Sequence, residues 1–128
     1  MSTEKWRVDD CEVLTRSGVL SRQLVWPKNS PEAQSTITQV TMAPGSVSER
    51  HSHKACEQIW IVVQGKGDLL LENGNTDVLR AGDIVRTPAG DVHGIVNSGP
   101  EPLVYFAVTT PPQDFTYAYK PTLSAKNG

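Results

Sequence analysis

Three histidines occur in the 128 residues, and their spacing is the feature of the chain best suited to chemistry. His51 and His53 stand two apart, just ahead of the apolar run Gln58–Gln64. In an extended backbone, residues i and i+2 project from the same side, so two imidazoles on one face make half of a metal site. His93 follows the turn sequence Pro88-Ala89-Gly90-Asp91-Val92 and can supply a third nitrogen. Neutral imidazole suits Zn, Fe, Cu and Ni. The expected cofactor is therefore one divalent ion, drawn from Zn, Fe, Mn, Ni and Cu. Cys56 lies beside these residues, but its place reads as a loop thiol rather than a ligand.

The elements that would position these side chains read as β-strands. Short apolar runs alternate with turn clusters, and Gly and Pro number 10 and 9. The expected strands are Val19–Trp26, Thr36–Met42, Gln58–Gln64, Asp68–Glu72, Asp77–Leu79, Asp83–Thr87, Gly94–Asn97 and Leu103–Thr109. Asn73-Gly74 predicts a type I′ hairpin turn, which needs positive φ at both central residues. Residues 1–18 lack a sustained helical period, although a short helical turn fits there. The segment from Lys120 to Gly128 reads as a loosely attached tail. Strands at this spacing close into a sandwich or barrel. The expected organisation is an N-terminal arm over 1–18, a barrel over 19–112 and a tail over 113–128.

Two longer stretches contain the histidines. From Gly45 to Gly65 the chain reads GSVSERHSHKACEQIWIVVQG, and from Gly82 to Asn97 it reads GDIVRTPAGDVHGIVN. The first resembles the first motif of the cupin superfamily: Gly, five residues, H-x-H, three or four residues, Glu, six residues, Gly. The second resembles the second motif without a gap, with Gly82, Pro88, Gly90, His93 and Asn97 in register. The resemblance spans about Val19 to Pro112. It implies an all-β fold, the cupin double-stranded β-helix or jelly-roll barrel, in a single domain. It also implies that His51, His53 and His93 are metal ligands, completed by one carboxylate.

At the carboxylate position the chain departs from the motif. Counting forward from His53 gives Glu57; counting back from Gly65 gives Gln58. The turn at Gly65 anchors the strand register, and Gln58 shares a face with Trp60 and Val62 while Glu57 shares the other with Ile59. Gln58 is thus the expected fourth ligand and Glu57 the alternative. A set of three imidazoles and an amide is neutral, which leaves the ion a stronger Lewis acid but less tightly held. Trp60 is expected to face the interior, either packing or forming a substrate wall. Tyr105 is expected to point inward ahead of Phe106 and to offer a hydroxyl to substrate. Glu57, Glu49 and Tyr105 are candidate proton carriers.

Composition narrows the partners. Lys and Arg total 12 against 14 acidic residues, a formal charge of −2, so no basic stripe supports binding to nucleic acid. No apolar run reaches the ~20 residues of a membrane span, and the polar start is unlike a signal peptide. Two cysteines form no disulfide framework, which points to a reducing, cytoplasmic setting. The expected ligand is a small-molecule substrate. Small cupins resemble one another in pairing through an outer sheet and an N-terminal strand, which implies a homodimer; in Val8–Leu24, Val13, Leu14, Val19 and Leu20 are the apolar residues available for it. Three functions follow from the resemblance: a metal Lewis-acid enzyme acting on a carbonyl or enol by isomerisation or ring opening, a metal-dependent dioxygenase, or a non-catalytic sugar-binding or sensor module. The ligand set favours the first.

Overall fold

The computed structural model describes residues 2–119, so the expected tail from Lys120 to Gly128 lies outside the described residues. The chain runs through ten strands: β1 (Val13–Arg16), β2 (Val19–Val25), β3 (Thr36–Met42), β4 (Val47–His51), β5 (Glu57–Gln64), β6 (Lys66–Leu70), β7 (Thr76–Arg80), β8 (Ile84–Thr87), β9 (His93–Val96) and β10 (Leu103–Thr110). They form two antiparallel sheets, a six-stranded one in the order β1-β2-β3-β10-β5-β8 and a four-stranded one in the order β4-β9-β6-β7. From β3 onward the chain passes repeatedly between the sheets, which gives the jelly-roll barrel implied by the motifs. No helix among the described residues is long and apolar enough to cross a membrane.

The alternation expected of half-buried strands is plain in β3 and β10, where every second residue is buried. Those inward positions meet between the sheets in one core of Val19, Val40, Met42, Trp60, Val62, Leu69, Leu79, Ile95, Leu103, Tyr105 and Ala107. Each anticipated strand run overlaps a strand, although β6 starts two residues earlier and stops at Leu70. The Asn73-Gly74 turn has φ of 59° and 77°, and the Asn75 N–H donates to the Glu72 carbonyl at 3.1 Å, the geometry a type I′ connection demands. A single 3₁₀ turn, Val8–Asp10, occupies the N-terminal stretch.

Two strands were not anticipated. β1 is a four-residue edge strand pairing with β2 through the Ser17-Gly18 turn; its burial is only partial. β4 reads VSERH, and only Ser48 in it is buried. Its backbone is held by pairing with β9 rather than by an apolar face, so no hydrophobic period marks it. Val19, grouped with the apolar residues available to a partner, is 2% exposed and belongs to the core, whereas its neighbour Leu20 is 49% exposed. Both cysteines are free, Cys56 buried and Cys11 half-buried.

Candidate metal centre and its pocket

The pairing of β4 with β9 sets His51 directly opposite His93, after a register irregularity between Ser48 and His51. The close approach of the two strands depends on Gly94. A Cβ there would lie 2.7 Å from the Ser48 carbonyl oxygen and 2.9 Å from the Arg50 nitrogen. His53 stands two residues beyond the end of β4. Its carbonyl accepts a 2.8 Å hydrogen bond from the Gly90 N–H. Gly90 has φ of +90°, a left-handed conformation suited to glycine, and belongs to the turn that delivers His93. The two histidine-bearing segments are therefore tied by backbone. Asn97 is fully buried and braces the far end of β9, its amide donating to the carbonyls of Met42 (2.9 Å) and Glu101 (2.8 Å).

The three rings converge. One nitrogen from each of His51, His53 and His93 lies within 4.8 Å of the others, and the ring centroids are 4.5 to 5.3 Å apart. The carbonyls of Glu49 and Asp91 accept from Nδ1 of His51 (2.7 Å) and of His93 (3.2 Å). Such a bond fixes the tautomer and leaves Nε2 with its lone pair, as in metal-bound imidazoles. His93 Nε2 is buried with no hydrogen-bond partner, and an orphaned buried acceptor is costly unless something fills its place. Burial, and then the neighbouring His51, lower the His53 pKa. Burial, followed by His51 and His53, lowers that of His93 to about 4, against a smaller opposing effect of its bond to Asp91. Neutral imidazoles are the form that binds metal. The donors, their tautomers and the orphaned nitrogen all fit one divalent cation.

Gln58 is buried and lines the same pocket. Its Nε2 donates to Thr109 Oγ1 at 3.1 Å, and its Oε1 accepts from Trp60 Nε1 at 3.2 Å. An amide oxygen has two lone pairs, so one remains. Glu57 lies on the other face of β5, where its Oε1 accepts from Nε and Nη2 of Arg86 at 3.1 and 2.9 Å. Gln58 therefore lines the cavity that His51 and His53 line, and Glu57 does not. Trp60 is buried edge-on to His93, with centroids 5.5 Å apart, and lies 5.0 Å from the Tyr105 ring. Tyr105 is buried and Phe106, on the alternate face, is half-buried. Burial first, and then Tyr119, push the Tyr105 hydroxyl well above the usual tyrosine range, with Arg16 pulling the other way. Cys56 is not among the converging groups, and burial pushes its thiol pKa up.

The cavity has a volume of about 600 Å³, the size of a small-molecule site. Its floor includes Gln58, Trp60 and Tyr105, and β4 supplies Ser48, Glu49 and His51. Sequence reasoning missed two parts of the wall. Arg16 enters from β1, and Phe115, Tyr117 and Tyr119 come from the segment after β10. Phe115 lies 5.6 Å from His53. The aromatic spacing at 115, 117 and 119 was the available signal, but a single helical turn over 116–119 is too short for a period that tells where it packs.

Comparison with known proteins agrees with this construction. A family model described as Cupin domain matches residues 38–109. An uncharacterised protein of Methanocaldococcus jannaschii is 27% identical over 99 residues, 77% of this chain and 78% of that one. An oxalate-binding protein of Thermotoga maritima is 31% identical over 72 residues, 56% of this chain and 59% of that one. The solved structure of a cupin-superfamily sugar phosphate isomerase from Silicibacter pomeroyi matches with a TM-score of 0.72 and 25% identity, covering 84% of this chain and 75% of that one.

Proposed function

Because this chain belongs to the cupin family, we propose that it is a metal-dependent enzyme acting on a small oxygenated substrate, with His51, His53, His93 and the Gln58 amide oxygen as ligands. The observation that carries this reading is the buried, partnerless His93 Nε2, on a ring packed against two further imidazoles that line a small-molecule cavity. A bound divalent ion supplies Lewis acidity to a carbonyl or enol oxygen, a contribution of several kcal/mol to charge stabilisation. The reaction class is enolisation, isomerisation or ring opening of a keto-sugar, uronate or β-dicarbonyl.

The chain's own residues divide the remaining work. Trp60 walls the substrate against the histidines. Tyr105, its pKa raised, stays protonated at neutral pH and donates a hydrogen bond rather than acting as a base. Glu49, exposed on the cavity wall, accepts the proton. Glu57 takes no part in this scheme, since Arg86 holds it outside. The likeness to a sugar phosphate isomerase supports the reaction class. The likeness to an oxalate-binding protein favours a second reading, a binding module without turnover.

Metal analysis of untagged protein is the first experiment. It is followed by a screen of keto-sugars, uronates and β-dicarbonyls, with and without oxygen, monitoring proton exchange at the activated carbon. Exchange without oxygen supports the proposal. Stoichiometric oxygen consumption assigns a dioxygenase, and tight binding with neither exchange nor turnover assigns a binding module. We propose further that the chain is a homodimer, joined through the outer face of the six-stranded sheet, where Leu20, Ile61, Val63 and Ile84 are exposed.

A further inference from the structure

Among the described residues, Arg16 is a cation without a counter-charge. Its Nη2 donates to Ser48 Oγ at 2.9 Å, its guanidinium carbon stands 5.2 Å from the centre of the Tyr119 ring, and its Nε is buried with no acceptor. The ion pairs among the described residues are Lys28–Glu12 and Arg86–Glu57, so no carboxylate there pairs with Arg16. Guanidinium does not deprotonate in proteins; Arg16 is half-buried, and shielding part of its charge from water without an anion costs stability.

The other charged groups of the wall do not meet this need. Arg50 is also a cation, and its guanidinium donates to the backbone carbonyls of Leu71 and Asn75. Glu49, the one acid among the lining residues, is exposed. Tyr105 lines the same cavity as Arg16, and burial keeps its hydroxyl a neutral donor. Arg16 and Tyr105 thus present N–H and O–H groups, and no acceptor charge, to the same cavity as the histidines.

Position along β4 gives the scale. Ser48, which Arg16 grips, precedes His51 by three residues, at most roughly 10 Å of strand, with a register irregularity between them. A ligand with metal-binding oxygens at one end can therefore reach the guanidinium with the other. We infer that Arg16, with Tyr105, forms an anion subsite for a carboxylate at the end of the ligand remote from the histidines, so that the substrate is a small oxygenated acid of about six carbons. Arg16 acts as a binding residue, through a charge-assisted fork to the carboxylate. The inference rests on the proposed reading of this cavity as the ligand site.

The probes are D-glucuronate and D-glucose, which differ in a carboxylate in place of CH₂OH. Each is titrated calorimetrically into wild type, Arg16→Gln and Arg16→Lys, with and without one equivalent of Zn²⁺. The Arg16 Nε–H resonance is followed by NMR, assigned by its loss in Arg16→Lys. The expected result is glucuronate binding at least tenfold tighter than glucose, with a shifted Nε–H signal. That preference should vanish in Arg16→Gln and survive in part in Arg16→Lys, with zinc content unchanged in both. Equal binding of the two sugars by wild type, binding of neither, or an undiminished preference in Arg16→Gln overturns the inference. Should Arg16→Gln fail to fold, the wild-type preference, its loss in high salt and the Nε–H shift decide the matter. Because the preference is also read without zinc, a failure of the histidines to hold metal is seen separately, as zinc content unaffected by His93→Ala.

Discussion

Lowering the pH should weaken the metal-free fold through His93. Its folded pKa is about 4, held down chiefly by burial, against about 6.5 in an unfolded chain. Between those values the unfolded state binds the proton and the folded state does not, so stability falls as pH drops from about 6.5 towards 4 and levels off below. A gap of that size has an upper limit of roughly 3 kcal/mol at 1.36 kcal/mol per pKa unit. The ring packs against His51 and His53, which line a water-accessible cavity, and screening there reduces the expected loss to about 1 to 2 kcal/mol between pH 7 and 4.5. His53, whose pKa is also lowered, adds a loss of the same sign. The assay is urea unfolding of chelator-treated protein at closely spaced pH values, for wild type and His93→Gln. Carboxylates titrating elsewhere cancel in the difference between the two curves. Wild type should lose about 1 to 2 kcal/mol more than the variant across that window. Parallel curves, or a variant that is the more acid-sensitive, would refute the reasoning.

Replacing His93 with Ala should empty the metal site while leaving the far-UV circular dichroism of the β-barrel intact; full metal content in that variant would count against the site. Gln58→Glu should tighten metal binding at least tenfold by adding a negative charge beside the ion, whereas Glu57→Gln should change metal affinity little and stability by less than about 1 kcal/mol, since it removes only an exposed ion pair; competition titration with a chelator distinguishes them. Gly94→Ala should force β4 away from β9, costing about 1 to 3 kcal/mol and lowering metal affinity, measured by chemical denaturation and the same titration. Sedimentation should find a dimer at micromolar concentration, converted to monomer by an aspartate at Ile84, which is 71% exposed on the outer sheet face.

The histidine cluster was legible in the sequence because its constraints are local. A proline, a glycine that must take positive φ and a histidine at fixed offsets mark the turn at residues 88–93. The H-x-H pair likewise carries its own spacing. Gln58 and Glu57 were separable by strand parity once Gly65 anchored the register, and the structure puts them on opposite faces of β5. The rest of the pocket depends on distant contacts. β4 holds its place through hydrogen bonds to β9 and a glycine on that partner strand, neither of which leaves a pattern in VSERH. The reach of Arg16 to Ser48 spans 32 residues of sequence. Phe115 and Tyr119 gain meaning only from the histidine and arginine they happen to lie against. Val19 illustrates the same limit from the other side: alternation marked a strand but not which of its faces turned inward.

Arg16 and the 115–119 aromatics lie outside residues 38–109, the span that matches the family. The part of the molecule that matches the family model thus carries the histidine cluster, while the chain on either side of it supplies part of the cavity wall. Two proteins could be identical throughout the barrel core and still differ in the walls of this cavity, because part of its lining lies in the flanking segments. Transplanting residues 11–18 and 111–119 between cupins, with the histidine motifs untouched, is accordingly a route to exchanging ligand preference without rebuilding the chemistry.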